Sequence, residues 1–401
     1  MQSSYKNTLA LAALMLTTPL LHAQAAGTSK VQLWGIVDAA VRHTNNEGPG
    51  QDGKTQMLGG GMSQSRWGIN VEEDLGGGSK ALVVMENRFN ADDGTVSTPF
   101  FQLAHVGLQG PYGRITAGRQ WNVLFDVVTS TYASFPYSPY MEAYKPELGL
   151  AMGARTSNML KYAIATPDRT WAGALQYSFD ENNSTSALEG GLPGSAAQVP
   201  DYVRSTLGGG AWKTAGGYLR YAANGLAVGG GFMRTTLPGG TDVDAWTVGG
   251  SYRTGPWYFN MGYGLNKAKY AAVTNPLVGF RNTVDRAILG QFWSGQTNGG
   301  FLPGDADKRH LIKLGVGYQL TPQLNLGMHY FRGKQSGSTS GAFNGNTNFY
   351  VAVADYAFSK RTDAYFGVDH TSISGGSAIT LDALSNARSR SGITIGIRHR
   401  F

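Results

Sequence analysis

The chain has 401 residues, 57 of them glycine and none cysteine, with 15% charged residues and a formal net charge of +7. The lack of cysteine excludes a disulfide scaffold and any thiolate-bound zinc or iron–sulfur centre, and the glycines have no period of three, which excludes a collagen-like chain. With 41% hydrophobic and 11% aromatic residues the chain is not of disordered composition, and past its N-terminus no apolar run approaches the ~18 residues of a membrane-spanning helix.

The first segment reads as a secretory leader. Lys6 supplies a positive start and Thr8 to Leu21 form an apolar stretch. Ala23 and Ala25 form a small-residue cleavage site, so 1–25 is expected to be removed and 26–401 to form one domain. Export without cysteine suits a bacterial envelope protein.

Beyond the leader the period is two. Trp171, Gly173, Leu175, Tyr177 and Phe179 alternate with Ala172, Ala174, Gln176 and Ser178. Trp257, Phe259, Met261, Tyr263 and Leu265 alternate with Tyr258, Asn260, Gly262 and Gly264. The same pattern holds over Ile312–Tyr318, Leu324–Tyr330 and Ile393–Phe401. Such strands have one greasy and one wet face. Their length of about 9–12 residues is enough to cross a tilted membrane, and aromatics gather near their ends as at lipid–water interfaces.

Short Gly-, Pro-, Asn- or Asp-rich turns at 74–79, 110–112, 167–169, 223–225, 254–256, 321–323 and 359–362 alternate with long connections. The long ones lie near 43–64, 90–99, 120–155, 180–211, 236–243, 266–307, 333–347 and 372–391. These fifteen connections join sixteen strands, so the expected fold is all-β: a sixteen-stranded antiparallel transmembrane β-barrel. Such a barrel is wide enough for an aqueous channel.

The segments Val31–Asp38, Ser65-Arg66-Trp67-Gly68, Glu73–Gly78, Val106-Gly107-Leu108, Gly118-Arg119-Gln120, Ser359–Thr362 after Tyr356, and Arg398–Phe401 resemble landmarks of the trimeric general porins of Gram-negative bacteria, in family order and spacing. The resemblance is to the beta-proteobacterial branch. It implies a homotrimer in outer-membrane lipid and lipopolysaccharide, an inward-folded third external loop, and passive diffusion of ions and small hydrophilic solutes through a constriction lined by wall arginines and loop acids.

Residue by residue, the resemblance places wall arginines at Arg66 and Arg155, and puts Gln102 where the family has a fourth-strand arginine. Alternation adds Lys161, Lys313 and Arg398 to the lumen face. Arg119 stands at the strand end feeding the loop, where a bulge makes its direction unreadable. The loop, Trp121 to Ala154, keeps Asp126 at its start but has no acid between Asp126 and Glu142; Glu147 is the other acid left to face the arginines. It carries Tyr132, Phe135, Tyr137 and Tyr140 instead. The expectation is a mildly anion-preferring channel, with a channel preferring aromatic organic anions as the alternative. Arg42 and Arg88 read as charges at the external mouths.

No other chemistry competes. The seven histidines form no HExxH or similar motif, no GxSxG elbow occurs, and the glycine triplets 208–210 and 229–231 lack a phosphate loop's lysine. The sequence pI of about 9.3 comes from scattered basic residues, so lipopolysaccharide phosphates and anionic solutes account for it better than nucleic acid. No enzyme activity, metal or cofactor is expected.

Overall fold

The computed structural model describes residues 29–48, 50–133, 154–179, 213–236, 242–268, 307–339, 341–342, 344–377, 379, 381 and 387–401. The expected leader lies outside them. In chain order the elements are β1 (Lys30–Glu47), β2 (Asp52–Leu58), β3 (Arg66–Gly76), β4 (Ser79–Phe89), β5 (Val96–Gly110), β6 (Gly113–Trp121), α1 (Val123–Thr131), β7 (Arg155–Ala165), β8 (Trp171–Ser178), β9 (Lys213–Ala223), β10 (Leu226–Thr236), β11 (Asp242–Thr254), β12 (Trp257–Ala268), β13 (Lys308–Gln319), β14 (Leu324–Ser336), β15 (Gly345–Ala357), β16 (Thr362–Gly375) and β17 (Ser389–Arg400).

Each strand from β3 onward pairs antiparallel with the next, and β17 returns to β1, with Ile36 opposite Arg400 and Thr44 opposite Gly392. The ring is a closed sixteen-strand barrel. Seven short turns join the strands at one rim. At one of them Asn224 and Gly225 both have positive φ (52° and 81°), the geometry that lets a two-residue hairpin follow the strand twist. Backbone bonds between Gly35 and Phe401 close the ring, at 3.1 Å and 3.0 Å. The Phe401 ring covers Gly35, where any side chain would collide with it. Closure pairs every strand edge, which is what lipid demands of a backbone with no water to bond to.

The second position in the ring departs from the expected continuous strand. β1 pairs with β3 along its lower half (Lys30–Ile36) and with β2 along its upper half (Ala40–Glu47). Residues 59–65 connect the two pieces. What reads as one long connection over 43–64 is therefore a hairpin of β1 with β2, paired as far as Glu47 and Asp52, followed by this excursion.

The two faces separate as alternation requires. Leu175, Val228, Val248, Met261, Leu314, Met328 and Ile395 point outward and are exposed, while Gln176, Thr247, Asn260, Lys313, His329 and Thr394 point inward and are buried. Aromatic pairs stand at both ends of the outward band: Phe232 with Trp246 and Tyr330 with Tyr350 near the long-loop rim, Trp257 with Tyr318 near the short-turn rim. An outward apolar band edged by aromatics is the surface of a barrel seated in a bilayer.

Candidate functional site

The first turn of the third loop is a helix on the lumen side of the wall. Asn122 caps α1 by accepting from the Phe125 N–H at 2.9 Å, and the Val123 N–H donates to the Gln176 side chain at 2.7 Å. Val123, Leu124, Val127 and Val128 form one fully buried stripe against β8–β11. The wall admits them because it is glycine there: a Cβ at Gly231 would lie 3.2 Å from Leu124, and one at Gly229 3.0 Å from Val127. Tyr132, the C-cap residue, is fully buried. Its ring lies in a slot over Gly249 and Gly262, where a Cβ at Gly262 would be 2.5 Å from it. Its hydroxyl bonds Thr247, and the Lys313 ammonium sits 4.9 Å from its ring centre. Arg220, Ser251 and Tyr258 donate to the carbonyls of Ser130, Thr131 and Ala133. Tyr132 is thus a wall anchor of the helix. Phe135, Tyr137, Tyr140, Glu142 and Glu147 lie outside the described residues.

The wall arginines gather beside this loop. Register places Arg66 on β3 opposite Arg88 on β4. Arg88 donates to Glu86 at 2.7 Å and to Gln64 at 2.9 Å. Arg155 on β7 donates to Gln102 at 2.9 Å. The residue in the family's fourth-strand arginine position therefore holds another arginine in place. Trp121 joins the group: the guanidiniums of Arg155 and Arg88 lie 4.3 Å and 5.1 Å from its ring centre. Phe125 stacks on the indole at 3.8 Å, nearly parallel. Glu86 is the carboxylate among these three arginines, and the charges acting most strongly on Arg66 are those of Arg88 and Glu86.

Arg88 is therefore a buried member of this cluster and not a mouth charge. Arg42 is likewise no mouth charge: it is 2% exposed and grips Asp369 with two hydrogen bonds of 2.6 Å and 2.9 Å. Plain counting back from the turn at 77–78 would bring Phe89 opposite Arg66; a register shift between Asp74 and Gly76 brings Arg88 there instead. Arg88, Trp121 and Glu86 therefore carry no sequence signal that joins them to the cluster. The bulge expected at Arg119 is present, with the register shifting between Gly118 and Gln120. Arg119 is buried and donates to Ser157 at 2.9 Å.

Lys161 binds the loop itself. Its ammonium donates to the Asp126 carboxylate at 2.7 Å and to the Trp121 carbonyl at 2.8 Å. Burial inside the barrel pushes the Asp126 carboxyl above its ordinary range, against the pull of Lys161. Asp126 thus takes up a proton before an ordinary aspartate does as pH falls. Protonation removes one negative charge beside Lys161, so anion preference should rise on acidification through the carboxylate range. The reversal potential of Asp126→Asn should lack that part of the pH dependence.

A closed barrel of sixteen strands, greasy outside and lined by buried charge, is an outer-membrane β-barrel with a polar interior. A family model of the Gram-negative porins matches residues 10–376, and the chain belongs to that family, which places it in the outer membrane. Outer membrane porin protein 32 of Delftia acidovorans is 30% identical over 240 residues, 58% of this chain and 62% of that protein. An outer membrane porin protein of Bordetella pertussis is 27% identical over 180 residues, 40% of this chain and 45% of that protein. The matches thus span less than two thirds of either relative's length. Among solved structures, an anion-selective porin from Comamonas acidovorans covers 93% of this chain and 100% of its own at a TM-score of 0.67 and 22% identity. The trimer form of OmpT from Vibrio cholerae covers 93% and 99% at 0.61 and 14%. At these identities the likeness concerns the fold.

Proposed function

We propose that the protein is a homotrimeric, passive channel for small hydrophilic solutes and ions, exported by its 1–25 leader and mildly anion-preferring. The observation that carries the preference is the group of Arg66, Arg88 and Arg155 against Glu86, the one carboxylate set among them by the described residues, beside a loop helix whose Asp126 is engaged by Lys161. The reading takes the loop 121–154 as the element that narrows the channel, since α1 already stands on the lumen side. The name of the Comamonas neighbour, an anion-selective porin, agrees with it. The described aromatics of the loop, Trp121, Phe125 and Tyr132, are engaged with one another or with the wall, and so give a site for aromatic anions no support. Liposomes carrying the protein should swell in neutral sugars at rates that fall steeply with sugar size. Swelling no faster than that of protein-free liposomes would overturn the channel reading.

A further inference from the structure

The connection between β2 and β3 is a second element on the inner face of the wall. Residues 59–65 leave the ladder after Leu58 and rejoin it at Arg66. On the way they bond inward side chains of three neighbouring strands, β16, β17 and β1. The Asp38 carboxylate on β1 accepts from the Gly61, Met62 and Ser63 N–H groups. The Tyr365 hydroxyl on β16 accepts from the Met62 N–H at 3.1 Å, and Arg398 on β17 donates to the Ser63 hydroxyl at 2.8 Å. A segment held by inward side chains lies inside the barrel. Gly61 permits the close approach, since a Cβ there would collide with the Tyr365 hydroxyl and with Ala40.

This segment faces α1 across the lumen. α1 packs on β8–β11. From β1, by way of β3 to β9, β10 is eight steps round a ring of sixteen. The two inward elements meet at the arginine cluster. Gln64 accepts from Arg88 at 2.9 Å, Arg88 lies 5.1 Å from the Trp121 ring centre, and Trp121 stacks on Phe125 of α1. A chain of contacts thus runs from 59–65 to the loop helix, and both stand at the level of the cluster.

Gln64 is the residue of the segment that touches the cluster. Gly60, Gly61, Met62 and Ser65 are buried, while Ser63 and Gln64 are half-buried. The Gln64 amide oxygen takes the Arg88 Nη1, and its amide nitrogen donates to the Ser97 hydroxyl on β5 at 3.0 Å. Ser97 therefore sets which end of the amide meets the arginine. On its other side Arg88 is held through Nε by Glu86 at 2.7 Å. A carboxylate at position 64 would hold the guanidinium as well but would cancel its charge. The neutral amide orients Arg88 and leaves its charge to act on the lumen. Without the amide, the guanidinium is free to turn onto Glu86 as a two-bond pair.

We propose that residues 59–65 form a second inward element of the channel's narrowing, opposite the loop helix, and that Gln64 is a positioning residue for ion preference, acting through Arg88. The inference rests on the channel reading above and adds to it the wall that faces the loop.

The natural absence of cysteine makes the test direct. Gln64→Cys is labelled to completion, checked by mass, with sulfonatoethyl or trimethylammonioethyl methanethiosulfonate and recorded in planar bilayers. Relative to the unlabelled variant, the anionic label should move the reversal potential toward that of potassium and the cationic label toward that of chloride. Each shift should be about threefold in the permeability ratio. Complete labelling that moves neither overturns the proposal. Gln64→Met, which keeps the bulk and loses the amide, should lower the chloride-to-potassium ratio about twofold, less than loss of the charge itself. In the Arg88→Gln background it should add nothing. An equal effect in both backgrounds overturns the action through Arg88. A readout independent of current is the reaction of the introduced thiol in the folded protein. It should react with N-ethylmaleimide but not with a polyethylene-glycol maleimide wider than the barrel, which the unfolded chain accepts. Reaction with both or with neither overturns the placement in the lumen. A silent wild type beside such size-graded labelling would instead count against the channel reading and leave the placement of 59–65 standing.

Discussion

Replacing Arg66, Arg88 and Arg155 together by glutamine should turn the channel from anion-preferring toward cation-preferring, with a change of about tenfold in the permeability ratio. A unit charge ~7 Å from a permeating ion in water contributes about 0.6 kcal/mol, and screening at ~0.1 M salt roughly halves that. The same charge attracts the anion and repels the cation, so the ratio moves by about 0.6 kcal/mol, near threefold, for each arginine. Three such steps set an upper bound of about thirtyfold, and the burial of Arg88 and Arg155 away from open water brings the expected change to about tenfold. Reversal potentials in a salt gradient measure it. Trp121→Leu should reproduce part of the shift with all three arginines present, because the indole holds Arg155 and Arg88 over its ring. An unchanged reversal potential in the triple variant would mean that the cluster does not stand at the narrowest point.

The largest effect on stability should come from Asp38→Ala. Asp38 is fully buried, and its carboxylate accepts from the N–H groups of Gly61, Met62 and Ser63 at 3.0, 3.0 and 2.7 Å. It also accepts from the Tyr365 hydroxyl at 2.6 Å. One side chain thus pins the excursion between β2 and β3 to the inner wall and ties it to β16. Ser65 completes the link by accepting from the Asp38 N–H at 2.9 Å, and Arg398 donates to Ser63 at 2.8 Å. Removing the carboxylate takes the acceptor from three donors at once, the Gly61 and Ser63 N–H groups and the Tyr365 hydroxyl, while the Met62 N–H keeps the Tyr365 oxygen at 3.1 Å. Hydrogen bonds to a charged group contribute ~1.5–3 kcal/mol each, with partial relaxation expected, so the loss should be about 4 kcal/mol or more. Asp38→Asn keeps one acceptor oxygen and should lose less. Denaturant unfolding of the refolded barrel measures the difference, and new protease cleavage within 59–65 locates it. Equal stability of Asp38→Ala and wild type would remove this anchor from the account.

The barrel was legible because its signals are local. Alternation and turn chemistry are written within a few residues of where they act, so the strand and turn pattern around Trp171–Ser178, Asn224-Gly225 and Trp257–Leu265 could be read directly. Three parts were not legible, each for a physical reason. Parity fails across bulges, and the register shifts at Glu86/Asn87 and Gly118/Gln120 lie within the arginine cluster. The partners of Asp38 are local on one side, at 61–63, but distant on the other, at Tyr365, and nothing in a single sequence joins them. Finally, α1 is built from Val123, Val127, Val128, Thr129 and Thr131, β-branched residues with weak helix propensity. Its helical form comes from the cap at Asn122 and from packing into the glycine-lined wall, both supplied by the rest of the barrel.

A planar-bilayer recording of the wild-type protein under a potassium chloride gradient tests the anion-preferring channel most directly. Discrete conductance steps and a reversal potential displaced toward that of chloride are expected. A protein that inserts but stays silent, or a reversal potential displaced toward that of potassium, would contradict it.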